Sequence, residues 1–136
     1  MKIEALTAEH CMALTRLEAV FSPMTPEIAV QLETLGGWAA VDGDVLAVAG
    51  ILPRWDGVGL AWAWLGRGWR KHARLITEAA RIGLEDAPFH RIETGVLLGY
   101  DRGERWAKML GFELETPIAR KWGPDGLDYS LWAKVK

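Results

Sequence analysis

Cysteine is nearly absent. Cys11 is the only one, so neither an internal disulfide nor a cysteine-based zinc site can form within the chain. Such usage fits a reducing, cytoplasmic setting. Long apolar runs are missing too: the longest, Val58 to Gly66, is about half of what a membrane helix needs, and no membrane partner is expected. The opening Met1-Lys2-Ile3-Glu4-Ala5-Leu6 carries charges inside its first apolar stretch and does not read as a signal peptide. Neither sign of charge dominates, with 16 Lys+Arg against 18 Asp+Glu and a net charge of −2. That balance excludes a globally basic coat for nucleic acid and leaves only a local patch. There is no phosphate-binding P-loop, no dinucleotide fingerprint and no Ser/His/Asp constellation. No His/Asp/Glu grouping has metal-ligand spacing, so no metal is expected.

What is present is the material of one ordinary domain, residues 1–136. Half the residues are hydrophobic and a quarter charged, enough to bury about two-thirds of the unfolded surface without staples. Tryptophan is over-used, with eight copies.

The patterning alternates between strand and helix periods. Residues 2–6 read as a strand, and Thr7 caps a helix running to about Val20 with Cys11, Leu14 and Leu17 on one face. Ser22-Pro23-Met24 is a break. Thr25-Pro26-Glu27 then starts a helix with the stripe Ile28, Leu32, Leu35, which Gly36-Gly37 stops. Trp38–Val41, Val45–Leu52 and Val58–Leu65 read as three antiparallel strands, turned at Asp42-Gly43-Asp44 and at Pro53 to Gly57. A helix follows, with Trp69, Ala73, Ile76 and Ala80 inward and Arg74–Glu78 and Arg81–Glu85 able to pair outside. Arg91–Gly99 is a strand, with Ile92, Thr94, Val96 and Leu98 facing one way. Asp101–Leu110 is a short helix presenting Trp106, Met109 and Leu110. Phe112–Lys121 and Leu127–Val135 are strands joined by the loop Trp122 to Gly126. The order is β-α-α-β-β-β-α-β-α-β-β, and the long helix between the fourth and fifth strands makes that pair parallel in an otherwise antiparallel sheet.

That order resembles the GNAT superfamily, the acyl-CoA-dependent N-acetyltransferases, over essentially the whole chain. The best local match is Arg102-Gly103-Glu104-Arg105-Trp106-Ala107-Lys108-Met109-Leu110-Gly111-Phe112, similar to the family's late helix and the Gly-Phe that opens its sixth strand. The compact length and Trp-rich strands are also similar to small acetyltransferase-like proteins of tailed phages. The resemblance implies an α/β fold with a mixed, mostly antiparallel seven-stranded sheet, helices on both faces and a V-shaped opening. It implies acetyl-CoA as cofactor and a small-molecule or protein amine as acceptor. In the family, the pyrophosphate is gripped by backbone N–H groups of a Gly-rich loop at a helix start. Here that places cofactor contacts at Leu65, Arg67, Gly68, Arg70, Lys71 and His72, with an oxyanion held by a strand N–H near Leu65.

Three features depart from the family pattern. In Arg67-Gly68-Trp69-Arg70-Lys71-His72, Arg70 and His72 stand where Gln/Arg-x-x-Gly-x-Gly/Ala has small residues. The general-acid tyrosine, five residues before the phenylalanine, falls at Ala107. The fourth strand has no carboxylate for a water-mediated base. Glu93 on the fifth strand, and Tyr100 or Asp101 at its end, are the remaining proton-transfer candidates, of which Glu93 and Tyr100 are taken as the catalytic pair.

Each signal also has a plainer reading. The cluster Arg67, Arg70, Lys71, His72 and Arg74 either captures phosphate or forms a solvated helix face. Cations in a first helical turn oppose the helix dipole, which favours a ligand reason for them. Trp62 and Trp64 read as core before groove wall, and Trp55 as exposed. Cys11 reads as buried packing, and His10 and His90 as solvated. Exposed tryptophans would suit a homo-oligomer interface. The competing function is a non-catalytic member of the fold used in protein assembly, for example in a phage particle. Contact with nucleic acid is disfavoured by the net acidity.

Overall fold

The computed structural model of the chain describes residues 1–14 and 24–136. Its strands are β1 (Lys2–Ala5), β2 (Trp38–Asp42), β3 (Asp44–Trp55), β4 (Val58–Leu65), β5 (Arg91–Leu97), β6 (Glu113–Ala119) and β7 (Tyr129–Val135). Its helices are α1 (Ala8–Ala13), α2 (Pro26–Leu35), α3 (Ala73–Asp86) and α4 (Asp101–Met109), with a 3-10 turn at Trp69–His72. The strands hydrogen-bond in the order β1-β2-β3-β4-β5-β7-β6. No helix among the described residues is long and apolar enough to cross a membrane. The described residues gather into two compact units, one of 1–14, 24–52 and 61–86, the other of 53–60 and 87–136.

In the first unit, β1 and β2 pair antiparallel from Lys2↔Val41 to Ala5↔Trp38. β2 pairs antiparallel with β3, with a bulge between Ala40 and Val41. Strand alternation sends Ala39 and Ala40 to opposite faces, so β2 serves two cores. One holds Leu6, Cys11, Leu14, Ala29, Leu32, Ala39 and Val48, with Trp62 and Trp64 packed against it. The other holds Ala40, Leu46, Ala47 and Ile76, with Trp38, Leu65 and Trp69 against it.

Both helix starts form as their caps dictate. Thr7 Oγ1 accepts the His10 N–H at 3.1 Å, and the Thr7 N–H donates to His10 Nδ1 at 3.0 Å. This is a reciprocal capping box with histidine in place of Glu or Gln. His10 is therefore a cap, not the free surface residue expected, and its Nε2 also lies 2.9 Å from Glu4. The helix expected to run to about Val20 ends at Ala13, where Leu14 turns extended (φ −63°, ψ 120°); Leu17 to Val20, and most of the Ser22-Pro23-Met24 break, lie outside the described residues. Thr25 Oγ1 accepts the Ile28 N–H at 3.2 Å, with Pro26 in the first turn. The buried residues of α2 are Ala29 and Leu32, whereas Leu35 is exposed.

In the second unit, β4 and β5 pair in parallel from Val58↔Arg91 to Leu60↔Glu93. β5 and β7 pair antiparallel over seven residues, Arg91↔Val135 to Leu97↔Tyr129. β6 pairs with β7 through two register shifts. The α4 stop follows from its sequence: Gly111 sits at φ 94°, its N–H bonds Lys108 O, and the Phe112 N–H bonds Ala107 O, both at 3.0 Å. These are the two bonds of a Schellman motif. The buried face of α4 is Ala107 and Leu110; Met109, expected inward, is exposed.

Several boundaries differ from expectation. β3 continues through Pro53, Arg54 and Trp55, so the turn shrinks to Asp56-Gly57, with Gly57 at φ 77°. The long helix begins at Ala73 because residues 69–72 wind as a 3-10 turn. Arg81 reaches Glu78 at 2.7 Å, one turn back, instead of pairing forward with Glu85.

Candidate functional site

The segment after β4 is shaped by its backbone. Leu65 is half-buried against the second core cluster, and the Gly66 N–H bonds Leu46 O at 2.8 Å. Gly68 takes φ 83°, a region open to glycine at little cost. The Trp69 N–H then closes onto Gly66 O at 3.3 Å and the Lys71 N–H onto Gly68 O at 3.2 Å. The N–H groups of Arg67, Gly68 and Arg70 have no backbone acceptor among the described residues. Arg67, Arg70, Lys71 and Arg74 project into solvent. None of the four has an ion pair among the described residues. The Arg74–Glu78 pair that would make this an ordinary solvated face is absent; Glu78 is taken by Arg81. His72 differs from its neighbours: its Nε2 lies 2.8 Å from Asp42 Oδ2.

Trp62 and Trp64 meet edge to face, with centroids 6.5 Å apart and an interplanar angle of 76°. Both pack against the first core cluster, as the core reading expects. Trp62 Nε1 is buried with no hydrogen-bond partner among the described residues. Cys11 is 2% exposed, and burial, followed by the nearby Glu33 charge, pushes its thiol above the ordinary range. It packs the core and has no character of a nucleophile.

In the second unit, Tyr100 caps α4. Its N–H bonds Leu97 O at 3.0 Å and its carbonyl accepts the Glu104 N–H at 3.2 Å. Its ring lies against Gly103, where an added Cβ would come within 2.7 Å. Ala107, the position of the family's tyrosine, is 4% exposed and offers no proton.

Glu93 belongs to a chain of alternating charges. One carboxylate oxygen accepts from Arg54 Nη1 at 3.1 Å and the other from Arg91 Nε at 2.8 Å. Arg91 also donates both terminal nitrogens to Glu115. The Glu115 hydrogen bonds, then those of Glu93, push the Arg91 guanidinium further up, and Arg91 holds Glu115 below the usual carboxylate range. These groups line a cavity of about 250 Å³ whose walls include Trp55 and Trp122. Trp55 is 62% exposed, with the Arg54 guanidinium 5.1 Å over its ring. The Trp122 ring covers Gly95, where a Cβ would come within 2.4 Å of it, and meets Tyr129 at 5.4 Å.

Sequence reasoning singled out Glu93 alone from this chain. Arg54, Arg91 and Glu115 escape it because they come from three strands that only folding brings together. One signal was available: Arg91 and Glu93, two apart on a strand, must share a face.

No family model matches the chain, and no curated protein matches it in sequence. Solved structures match over nearly its whole length. A GNAT-family acetyltransferase from Streptococcus pneumoniae superposes with a TM-score of 0.73 at 15% identity, covering 98% of each chain. The yncA protein of Salmonella typhimurium, solved with its cofactor acetyl-CoA, gives 0.73 at 12% identity, covering 99% of this chain and 93% of that one. The aminoglycoside acetyltransferase AAC(6')-Ib, in complex with coenzyme A and kanamycin, gives 0.69 at 15% identity over 99% and 94%. At these identities the likeness carries the architecture, and the chain has the GNAT-type fold that its order of elements leads one to expect.

Proposed function

We propose that this chain binds an acyl-CoA and transfers its acetyl group to an amine. The observation that carries the reading is a set of exposed cations, Arg67, Arg70, Lys71 and Arg74, without ion pairs among the described residues, on the turn between β4 and α3 and the first turn of α3. Four cations without counter-charges among the described residues, at a helix start where they oppose the dipole, call for an anion. The same turn grips the coenzyme pyrophosphate in the family whose fold this chain shares.

The residues fit such a group in an altered way. Arg70 and His72 narrow the approach that small residues would leave to the backbone, so the grip shifts to side chains. Guanidinium groups hold phosphate oxygens through paired N–H donors. Arg67, Arg70 and Lys71 hold the phosphates, Gly68 supplies the turn, and Leu65 lines the approach, its strand N–H stabilising the oxyanion. His72, engaged by Asp42, holds the turn in place.

Bound there, an acyl-CoA supplies an activated acetyl group for attack by a neutral amine. The coenzyme leaves as its thiol, taking up the proton that the amine sheds as the amide forms. Glu93, with a guanidinium on each oxygen, acts as a fixed charge in preference to a base. Acetyl-CoA and coenzyme A in the two matching complexes support this reading.

Thermal unfolding with acetyl-CoA tests it. Ligand at 100 times its dissociation constant should add about 2.7 kcal/mol of stability, and Arg70→Glu should remove the gain. An unchanged midpoint at millimolar acetyl-CoA overturns the reading. Release of free thiol across a panel of amines then reports transfer.

A further inference from the structure

The cavity of the second unit has a recognition chemistry of its own. Two of its lining residues are arginines and two are glutamates, so its side chains sum to zero charge. Their valences are unevenly filled. Arg91 is tied off, with its three guanidinium nitrogens on Glu93 and Glu115. Arg54 is not: among the described residues its guanidinium makes one hydrogen bond, Nη1 to Glu93 at 3.1 Å. Its Cζ lies 5.1 Å from the centroid of the Trp55 ring, and its remaining N–H donors are left for a ligand. The Glu93 oxygen that accepts this bond keeps a second lone pair.

The pair Arg54–Glu93 thus offers open donors beside an open acceptor, with the two charges 3.1 Å apart. The complement is a ligand bearing a carboxylate and an ammonium at the same spacing, which the backbone of an α-amino acid provides at about 3 Å. A polyamine would meet two guanidinium groups, and a dianion would meet two carboxylates. About 250 Å³ falls below the range of roughly 300–1,000 Å³ usual for drug-sized ligands, so the molecule is small. Trp122, held over Gly95, gives an apolar wall for its side chain.

We infer that this cavity binds a zwitterionic α-amino acid with an apolar side chain, its carboxylate on Arg54 and its ammonium on Glu93. This binding is independent of the acetyl-transfer reading.

Calorimetric titration of the full chain without acetyl-CoA tests the inference, so its failure is separate from failure of that reading. L-leucine should bind saturably. L-leucinamide, which lacks the carboxylate, and 4-methylpentanoate, which lacks the ammonium, should each bind roughly tenfold or more weaker, the worth of a charged hydrogen bond. Arg54→Met should lose L-leucine to the same extent with its thermal midpoint retained, and Arg54→Lys should recover part of the affinity. L-leucinamide or spermidine binding as tightly as L-leucine, or no saturable L-leucine binding at tens of millimolar, overturns it. The ligand series on the unaltered protein decides the matter even where a variant fails to fold.

Discussion

His72 Nε2 lies 2.8 Å from Asp42 Oδ2, which ties the turn after β4 to the end of β2. The histidine occupies a position where the family's phosphate loop has a small residue, yet its ring is turned onto a carboxylate of its own chain. The tether therefore holds the turn, while the neighbouring Arg70 and Lys71 have no ion pair among the described residues.

This arrangement ranks two substitutions. Asp42→Ala should cost less than about 1 kcal/mol of stability, since the pair is solvated. It should weaken acetyl-CoA by less than tenfold, about 1.4 kcal/mol. Arg70→Glu should weaken it by more than that, and with a shallower dependence on salt, because it removes a screened attraction and adds a repulsion that salt relieves. Titration of both variants at two ionic strengths checks the order; a larger loss for Asp42→Ala reverses the assignment.

Gly95 is the floor under Trp122. A Cβ there would lie 2.4 Å from a ring carbon, and the ring cannot swing freely because it also packs on Tyr129. Gly95→Ala should destabilise the protein by about 1–3 kcal/mol, the usual cost of overpacking. It should also shift the tryptophan fluorescence as Trp122 is pushed outward. An unchanged denaturation midpoint would show that the ring yields without cost.

How much of this is legible in the sequence depends on the range of the interaction. Local chemistry reads well: Thr25-Pro26 starts α2, and Leu110-Gly111-Phe112 ends α4 in a Schellman motif whose requirements are written in three residues. The parallel β4–β5 pair is legible as well, because only a long crossover helix can join parallel neighbours. Boundaries set by pairing read less well. Pro53, Arg54 and Trp55 look like a turn, yet β3 carries them as strand. The start of α3 is missed because hydrophobic period alone does not separate a 3-10 turn from the first α turn. Within the site, the loop cations are contiguous and visible at once. The chain Arg54–Glu93–Arg91–Glu115 is assembled from three strands, and no local spacing joins its ends.

Glu115 is the member of that chain with an acid response. Arg91 holds its pKa below the ordinary value, so its contribution is present above about pH 4.3, the unfolded glutamate range, and is lost as the pH falls below it. Glu115→Gln should therefore lower stability at pH 7 and flatten the loss on acidification. Urea midpoints at pH 7 and at pH 3 measure the difference; parallel acid profiles for the two proteins would leave Glu115 without the assigned role.

Tyr129 governs the opposite limb. It is fully buried, and its hydroxyl donates to Asp125 Oδ2 at 2.8 Å. Burial first, then the Asp125 hydrogen bond and charge, push its pKa above the ordinary value. The folded state then keeps its proton after the unfolded state has lost it. Stability from this group is complete below about pH 10 and declines as the pH rises past that point. Tyr129→Phe removes the titrating proton along with one buried hydrogen bond, a cost of about 0.5–1.5 kcal/mol at pH 7. The variant should thus be less stable at neutrality and show a shallower fall between pH 9 and about pH 11. Equilibrium unfolding across that interval reads both effects, and an alkaline slope as steep as that of the unaltered protein would place the titrating group elsewhere.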